Sequence, residues 1–391
     1  MSDRTRLTLV GPSQRFLSGI SYYTVRLSNA LSEGADVQAI LFRHMLPKKL
    51  FPGWKRVGDN LATMTFKPEV EFREMLDWYN PFSWMGAASR MRNADVIIFQ
   101  WWTSSVAHMY LAIQLLLLRK VPIIIEYHEV VDPFEQSIMP IRVYSKIIGR
   151  IVRRFADHFV VHSEADGTLI EQSYHIQRER VAVIPHGLYD QYPVIEKSAA
   201  RKQLGITEEN VILFFGLLRP YKGVKSLIKA FDALPQDLIH STRLLIVGEA
   251  WEDQESLVRA EESPHREKIS IVNRYIGDSE IPLYFSAADL VALPYTRASQ
   301  SGVAHIAMSY GLPIIATKVG GLEEGLHDYA GAFFIPPNNP EDLQGELIRC
   351  IERKGSFAPP ANLAWSEIGR QWTSLLKSVI RHESMTLKKG T

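Results

Sequence analysis

The sequence is poor in cysteine, in net charge and in long apolar runs. A single cysteine, Cys350, excludes a disulfide within the chain and is typical of a reducing compartment. The formal net charge of +1 gives no indication of a polyanionic partner such as nucleic acid. No run of about 18 apolar residues is present, which argues against a membrane-spanning helix. The apolar stretch at residues 7–10 is too short for a signal peptide, so we expect a cytoplasmic protein.

The amino-acid composition is that of a globular protein. Hydrophobic residues make up 46% of the chain and charged residues make up 22%. A chain of 391 residues is too long for one ordinary hydrophobic core, so we expect two domains.

The most informative stretch surrounds Gly216. Residues 211–214 predict a buried parallel strand, and apolar residues at 224, 227, 228 and 231 predict one face of a helix. The turn between them contains Gly216, Arg219 and Lys222. Glycine allows close approach of the backbone to a ligand, cations neutralise phosphate oxygens, and a helix start offers free N–H groups. The turn is therefore a candidate phosphate-binding site, the alternative being an ordinary strand–helix turn with two solvated cations.

Strands and helices alternate along the chain in two series. The expected strands are residues 7–10, 37–42, 95–100, 121–127, 158–162 and 181–184, then 211–215, 243–247, 269–273, 290–293, 313–316 and 332–335. Residues 46–90 lack clear periodicity, and we expect irregular structure there with short strands or helices. Such alternation predicts parallel sheets with helices on both faces. The predicted fold class is α/β, with two Rossmann-like doubly wound domains facing across a cleft.

The polar linker at residues 188–197 sets the expected domain boundaries. We assign residues 1–190 to an N-terminal Rossmann-like domain and residues 191–365 to a C-terminal Rossmann-like domain. Residues 366–391 are expected to form a helix that packs back toward the N-terminal domain, followed by a polar tail.

Several short motifs occur in both halves of the chain. They are Gly216 with Lys222 and Gly223, residues 244–248, 287–294 and 307–317, Gly320 and Gly321 followed by Glu324, and in the first half residues 18–20, His128 and residues 184–187. In this order they resemble glycosyltransferase family 4, a group of GT-B enzymes. The resemblance implies retaining transfer of a sugar from a nucleotide-diphosphate sugar, with UDP or GDP as the nucleotide, to a glycan, lipid-linked or small-molecule acceptor. It also implies that the reaction needs no metal and no cofactor, that residues 1–190 form the acceptor-side domain, and that residues 191–365 form the nucleotide-sugar-binding domain.

The resemblance further implies roles for individual residues. His128, Arg219 and Lys222 are the expected catalytic residues, His128 through contact with the donor sugar and the two cations through the diphosphate. The expected nucleotide-sugar-binding residues are Gly19, Gly216, Arg219, Lys222, Asn273, Tyr275, Gln300, Ser301, Gly302, Val303 and Glu324.

The sequence departs from the family pattern in two places. Leu217 follows the first glycine, where the family often has an arginine, and Arg219 is able to supply that charge from the same turn. Ala298 and Ile306 occupy the positions of two glutamates that in the family contact the donor sugar and the ribose. The chain therefore resembles a variant branch of the family, and its donor is not specified.

Alternatives to these assignments remain open. An isomerase on the same fold requires acid–base carboxylates, for which Glu129 and Asp132 are the obvious pair, and a non-catalytic nucleotide-sugar-binding module is compatible with the missing glutamates. Each of three site residues also has a purely structural interpretation. His128 is then a buried histidine that is hydrogen-bonded beside Glu129, Gly302 is a glycine required for close packing, and Glu324 is a carboxylate at the start of a helix.

A basic helix is expected between residues 137 and 155. Its charges either form a solvated face or, together with the apolar residues between 141 and 155, contact an anionic membrane surface at the inner face. The nucleotide base, the sugar, the acceptor, the linkage and the oligomeric state are not specified by the sequence.

Overall fold

A computed structural model describes residues 4–16, 18–45, 63–118, 121–131, 138–251 and 253–389, with side chains described as far as residue 381. The chain divides into two compact units. Unit 1 comprises Met1–His186 and Ala364–Thr391, and unit 2 comprises Gly187–Leu363. Each unit contains one sheet in which every described strand pair is parallel, which confirms the predicted α/β fold class.

Unit 1 is built on a seven-stranded sheet with the order β3-β2-β1-β4-β5-β6-β7. Its strands are β1 (Thr5–Pro12), β2 (Ala35–His44), β3 (Glu71–Asp77), β4 (Val96–Trp101), β5 (Ile123–Tyr127), β6 (His158–Val161) and β7 (Val181–Val183). Its first helices are α1 (Gly19–Leu31), α2 (Pro81–Met91), α3 (Ala107–Leu117), α4 (Met139–Arg154) and α5 (Glu164–Tyr174).

Unit 2 is built on a six-stranded sheet with the order β10-β9-β8-β11-β12-β13. Its strands are β8 (Asn210–Phe215), β9 (Thr242–Val247), β10 (Ile269–Val272), β11 (Leu290–Leu293), β12 (Ile314–Thr317) and β13 (Ala332–Ile335). Its helices are α6 (Lys197–Leu204), α7 (Val224–Asp232), α8 (Gln236–Ser241), α9 (Gln254–Glu261), α10 (Ile281–Ala287), α11 (Gly302–Ser309), α12 (Gly320–Leu326) and α13 (Pro340–Arg353).

The last helix of the chain, α14 (Trp365–Lys389), belongs to unit 1, where it packs against α1. Trp372 and Ile368 are fully buried in a core with Tyr23 and Leu27 of α1. Because apolar residues recur at helical spacing along α14, one face of this helix covers one side of the sheet. The helix continues through the segment that we expected to be a polar tail, as far as Lys389. Methionine, leucine and lysine are good helix formers, which accounts for the longer helix.

The two sheets share one topological feature that locates ligand sites. In unit 1 the strand order reverses between β1 and β4, and in unit 2 it reverses between β8 and β11. Loops leave these neighbouring strands toward opposite faces of the sheet, so a crevice opens beyond their carboxyl ends. In unit 2 the turn that carries Arg219 and Lys222 follows β8 directly.

The expectation for residues 46–90 was incomplete. Residues 46–62 lie outside the described residues, but β3 and α2 are regular elements of seven and eleven residues. The strand was missed because β3 lies at the edge of the sheet, and its first three residues are exposed and polar or aromatic instead of forming an apolar run. Among the described residues, no helix has both the length and the hydropathy required to cross a bilayer.

Unit 2 contains an ion-pair cluster centred on Glu208. The side chain of Glu208 is 5% exposed, and its carboxylate lies 2.6 Å from Arg243 and 3.0 Å from Lys268. Burial alone raises the pKa of this carboxyl, but hydrogen bonds from Arg243 and Lys268 outweigh it and lower the pKa to about 2. A carboxyl whose pKa is lower in the folded state stabilises the fold above its unfolded pKa, and this contribution is lost as the pH falls from about 4.5 toward 2.

Glu208→Gln is therefore expected to lower the free energy of unfolding at pH 7 by about 1–3 kcal/mol, because two cations lose a charged acceptor. The difference from the parent protein should shrink as the pH falls from 5 to about 2.5, measured by urea unfolding. The neighbouring Glu209→Gln is the control, since Glu209 forms only an exposed ion pair with Lys354. An equal loss in both variants, or a difference that does not depend on pH, would contradict the assignment.

Candidate functional site

The turn after β8 is shaped by a close approach between two glycines. Gly216 has φ +111° and Gly248, at the end of β9, has φ +143°, conformations that L side chains rarely adopt. A Cβ atom added at Gly248 would lie 2.0 Å from the carbonyl oxygen of Gly216. The Gly216 amide donates to the carbonyl of Val247 at 2.9 Å, and the Leu218 amide donates to the carbonyl of Glu249 at 2.9 Å. The loops after β8 and β9 are thus paired beyond the ends of their strands.

Two cations lie in this turn without a carboxylate partner among the described residues. Arg219 and Lys222 are both partly buried, and the Nε atom of Arg219 is buried with no hydrogen-bond acceptor. The Arg219 guanidinium lies 5.1 Å from the Trp251 ring, and the Lys222 ammonium lies 5.2 Å from the Tyr295 ring. Burial lowers the pKa of Lys222, and the nearby Arg219 lowers it further against an opposing effect of Tyr221. The turn is therefore electropositive.

The loop after β11 closes on the same turn. The Thr296 amide donates to the Tyr221 carbonyl at 2.7 Å, and a Cβ atom at Gly223 would lie 2.0 Å from the carbonyl oxygen of Pro294. Gly223 precedes α7 and offers no side chain to cap the first amides of that helix. The loops on both sides of the strand-order reversal are therefore joined, and an uncapped helix N-terminus begins beside the two cations.

The start of α11 brings together four of the expected binding residues. Ser301 is its N-cap and accepts from the Ala304 amide at 3.4 Å, while Gly302 begins the helix beside the Tyr189 ring. Val303 lies 3.5 Å from the position of a Cβ atom at Gly216, so α11 adjoins the cationic turn. The side-chain nitrogen of Gln300 is buried and has no acceptor. This amide is a donor available to a ligand oxygen.

The remaining expected residues of unit 2 lie around this loop. Asn273 is exposed, and its side-chain oxygen accepts from the Ala250 amide at 2.9 Å, which fixes the loop after β9. Tyr275 is partly buried, and Glu324 is exposed on α12. The segment 294–309 contains no aspartate or glutamate. Of the two positions where the family has glutamates, Ala298 is partly buried and Ile306 is buried in α11.

Unit 1 carries two of the expected residues. Gly19 is the exposed first residue of α1, next to the N-cap Ser18, whose hydroxyl accepts from the Ser21 amide. His128 directly follows β5, and its side chain is 5% exposed. Asp132, one member of the carboxylate pair required by the isomerase alternative, lies outside the described residues, and its partner Glu129 is exposed.

The carboxylate nearest His128 is Glu126, not Glu129. Side chains two apart on a strand point to the same face, so His128 shares a face with Glu126, and Glu129 does not. Glu126 is fully buried, with one carboxylate oxygen 3.7 Å from Nε2 of His128 and the other 3.9 Å from Nε2 of His162. Tyr23 lies at the centre of this group, its ring 4.8 Å from His128 and 4.5 Å from His186. We refer to Tyr23, Glu126, His128, His162 and His186 as the histidine cluster.

Burial sets the protonation of the histidine cluster. Burial, with a smaller contribution from the neighbouring His128, lowers the pKa of His162 to about 4, so His162 is neutral at pH 7. Burial opposes ionisation of Glu126, but the adjacent imidazoles and Tyr23 outweigh it and hold the pKa of Glu126 below its usual value. The cluster therefore combines a buried carboxylate with at least one neutral imidazole.

Sequence reasoning gave a site role only to His128 in this cluster, although His186 lies in the motif at residues 184–187. A signal for the others was present, because Glu126, His162 and His186 each lie at or just beyond the carboxyl end of a strand. Strands β5, β6 and β7 are neighbours in the sheet, so their carboxyl ends converge.

Comparison with known proteins identifies the family. The family model described as Glycosyl transferases group 1 matches residues 196–372, and the model described as Glycosyltransferase Family 4 matches residues 17–191. The chain belongs to glycosyltransferase family 4. The resemblance read from its motifs is thereby confirmed.

Individual relatives are distant. A D-inositol 3-phosphate glycosyltransferase from Segniliparus rotundus is 28% identical over 62% of this chain and 55% of its own length. Mannosylfructose-phosphate synthase from Agrobacterium fabrum is 25% identical over 64% of this chain and 59% of its own length. The match thus spans little more than half the length of these relatives. Among solved structures, HepE of Anabaena in complex with UDP has a TM-score of 0.65 at 17% identity, covering 98% of this chain and 100% of HepE. Such neighbours are GT-B glycosyltransferases and establish the fold.

The contact between Gly248 and Gly216 yields a stability test. Gly248→Ala is expected to lower the free energy of unfolding by about 1–3 kcal/mol, because alanine disfavours the required φ and its Cβ overlaps the Gly216 carbonyl. Gly345→Ala in α13 is the control, since a Cβ atom there meets nothing within 4 Å. That change should raise the free energy of unfolding by about 0.5–1 kcal/mol. Urea unfolding measures both, and a Gly248→Ala protein as stable as the parent would contradict the described packing.

Proposed function

We propose that this protein is a retaining glycosyltransferase that moves a sugar from a nucleotide-diphosphate sugar to a glycan, lipid-linked or small-molecule acceptor. The observation that carries the proposal is the pair Arg219 and Lys222, held at the strand-order reversal of unit 2 without a carboxylate among the described residues. Elsewhere in the same unit, cations such as Arg201 and Arg243 are paired with carboxylates. An unpaired, partly buried pair of cations favours binding of a dianionic group.

A diphosphate fits the surroundings of these cations. The uncapped start of α7 after Gly223 supplies backbone N–H groups and a partial positive charge to phosphate oxygens. Close approach of phosphate to the backbone is possible at Gly216, which lacks a side chain. The buried amide nitrogen of Gln300 offers a donor to a hydroxyl or phosphate oxygen. The structural neighbour HepE is described in complex with UDP and with UDP-glucose, which favours UDP over GDP as the nucleotide.

The chemistry follows from charge stabilisation. In the transfer, the bond between the anomeric carbon and the diphosphate oxygen breaks, and a bond from that carbon to the acceptor oxygen forms on the same face. The acceptor proton passes to the departing phosphate oxygen, so no protein base is required. Arg219 and Lys222 stabilise the negative charge that develops on the diphosphate, and no metal ion is needed at that position. The family resemblance assigns His128 of unit 1 to contact with the donor sugar.

Lys222 provides the direct test of donor binding. Lys222→Met keeps the length and apolar body of the side chain but removes its charge, and it is expected to weaken binding of UDP and GDP by about 10- to 100-fold, the equivalent of one charged hydrogen bond. Lys225→Met is the matched control, because Lys225 is exposed on α7 and paired with Glu255. Isothermal titration with UDP, GDP and ADP measures the effect. Equal affinity in Lys222→Met and in the parent would refute the assignment of this lysine.

Activity assays separate the proposed reaction from its alternatives. Transfer of label from UDP- or GDP-sugars to an acceptor panel is expected of a transferase and not of a non-catalytic binding module. Conversion of the nucleotide sugar without any acceptor would instead indicate an isomerase.

We further propose that the protein acts at the cytoplasmic face of a membrane, which it contacts through α4. Ile138, Met139, Val143 and Ile147 are 46–76% exposed on or immediately before this helix. Arg142, Lys146, Arg150 and Arg154 are exposed on the same helix. Exposed apolar side chains flanked by cations are typical of helices that lie in the interface of an anionic bilayer. Sequence periodicity placed Ile147 on the apolar side of the helix, whereas its side chain is exposed.

Vesicle flotation tests this contact. We expect the protein to bind vesicles containing an anionic phospholipid and to release them as the salt concentration rises. Combining Val143→Glu with Ile147→Glu should reduce the bound fraction at least about tenfold, because both apolar contacts are lost and two negative charges are added. Val258→Glu, at a 54% exposed position on α9, is the control. Vesicle binding that is unaffected by the double substitution would rule out α4 as the contact.

A further inference from the structure

Three side chains of the histidine cluster converge on one buried space in unit 1. They are Glu126 near the end of β5, His128 just beyond it and His162 just beyond β6. One ligand atom from each lies within 4.8 Å of the others, and the side chains are 0%, 5% and 1% exposed. In the part of the chain that the structure describes, this is the one group of three or more such residues with metal-ligand spacing.

The position of the ring hydrogen of His162 leaves the lone pair of its other ring nitrogen facing this space. Nδ1 of His162 lies 2.9 Å from the carbonyl oxygen of Ile184, which only accepts, so Nδ1 carries the hydrogen. In the tautomer with its hydrogen on Nδ1, Nε2 of His162 presents a lone pair to the Glu126 carboxylate oxygen 3.9 Å away. This distance, and the 3.7 Å between Nε2 of His128 and the other Glu126 oxygen, are both too long for a hydrogen bond. Buried acceptors that face one another are unfavourable unless a cation lies between them.

The surrounding hydrogen bonds hold the ligands in place. Gln100 donates to one oxygen of Glu126 at 3.0 Å, and the amide oxygen of Gln100 lies 2.5 Å from the hydroxyl of Thr24. The carbonyl of Ile184 fixes both the tautomer and the ring orientation of His162. A histidine that donates its second ring N–H to a carbonyl, and a carboxylate held by an outer hydrogen bond, are the usual supports of metal ligands.

We propose that Glu126, His128 and His162 bind one divalent transition-metal ion, with Zn²⁺ as the best match. Two imidazoles and one carboxylate are a zinc donor set, with the fourth position left for water. Zinc bonds of about 2.0–2.1 Å place tetrahedral ligand atoms about 3.3 Å apart. The carboxylate oxygens now lie 3.7 and 3.9 Å from the two imidazole nitrogens, so a small inward movement of the side chains completes the site.

The ion ties the ends of β5 and β6 together and orients His128, the residue that faces the donor sugar in the proposed reaction. Its charge plays no part at the diphosphate, where Arg219 and Lys222 supply the positive charge. This site departs from the expectation that no metal is bound. His128 takes part in both proposals, but the metal test changes Glu126 and His162 in unit 1 and the donor-binding test changes Lys222 in unit 2, so the two proposals can fail separately.

The test measures metal directly. The full chain, freed of any affinity tag and stripped with a chelator, is titrated with Zn²⁺ against a chromophoric competitor, and bound metal is counted by mass spectrometry. We expect one zinc per chain. Glu126→Gln and His162→Gln should each bind zinc at least tenfold more weakly. Substitution with Co²⁺ should give the visible absorption of a low-coordinate site in the parent and not in these variants.

His108→Gln is the control for the loss of a histidine from unit 1. His108 is partly buried, and both of its ring nitrogens are occupied, by the Tyr144 hydroxyl at 2.8 Å and the Trp78 carbonyl at 2.6 Å. This variant should bind zinc as the parent does, and circular dichroism establishes that all variants are folded. The proposal is overturned if the parent binds no stoichiometric zinc, if folded Glu126→Gln and His162→Gln bind it as tightly as the parent, or if Mg²⁺ binds equally well.

Discussion

The placement of two neighbouring cations without a carboxylate partner among the described residues is the constraint on which the site in unit 2 depends. Arg219 and Lys222 lie in one short turn, and burial, with a smaller effect of the nearby Arg219, lowers the pKa of Lys222. The fold tolerates this because Trp251 and Tyr295 lie near the two cations and provide cation–π contact in place of a carboxylate. A bound diphosphate removes the repulsion, so part of the binding free energy comes from relief of an unfavourable interaction in the free protein.

Two carboxylates of unit 2 form ion pairs away from this turn. Asp289 pairs with Lys197 and Arg201, and Glu208 pairs with Arg243 and Lys268. These pairs lie at or near the amino ends of the strands, because Asp289 precedes β11 and Glu208 precedes β8. The cations at that edge of the sheet are thus neutralised, whereas Arg219 and Lys222 at the carboxyl edge have no ion pair among the described residues. That distribution favours an anionic ligand at the edge where parallel sheets bind ligands.

The sequence predicted the architecture well and the chemistry of unit 1 poorly, for physical reasons. Buried parallel strands are continuous apolar runs, so β8 and β11 could be recognised in the sequence as such runs. The exposed edge strand β3 has no apolar run and was not recognised. The cationic turn was found because its residues are consecutive. The histidine cluster was not, since Glu126, His162 and His186 come from three segments that only the strand order brings together. Glu129 was the sequence neighbour of His128, but alternation along the strand made Glu126 its spatial neighbour.

The two units have sheets that begin with the same strand order but place groups of opposite charge beyond the ends of their strands. Both sheets begin with the strand order 3-2-1-4-5-6 when their strands are counted within the unit, and both concentrate polar groups beyond the carboxyl ends. Unit 2 places glycines and cations there, and unit 1 places a buried carboxylate with three histidines. The absence of acidic residues from the segment 294–309 strengthens the contrast, because a carboxylate there would partly neutralise Lys222. With Ala298 and Ile306 in place of glutamates, the groups that this segment offers to the proposed donor are neutral ones such as the Gln300 amide, next to the two cations of the turn.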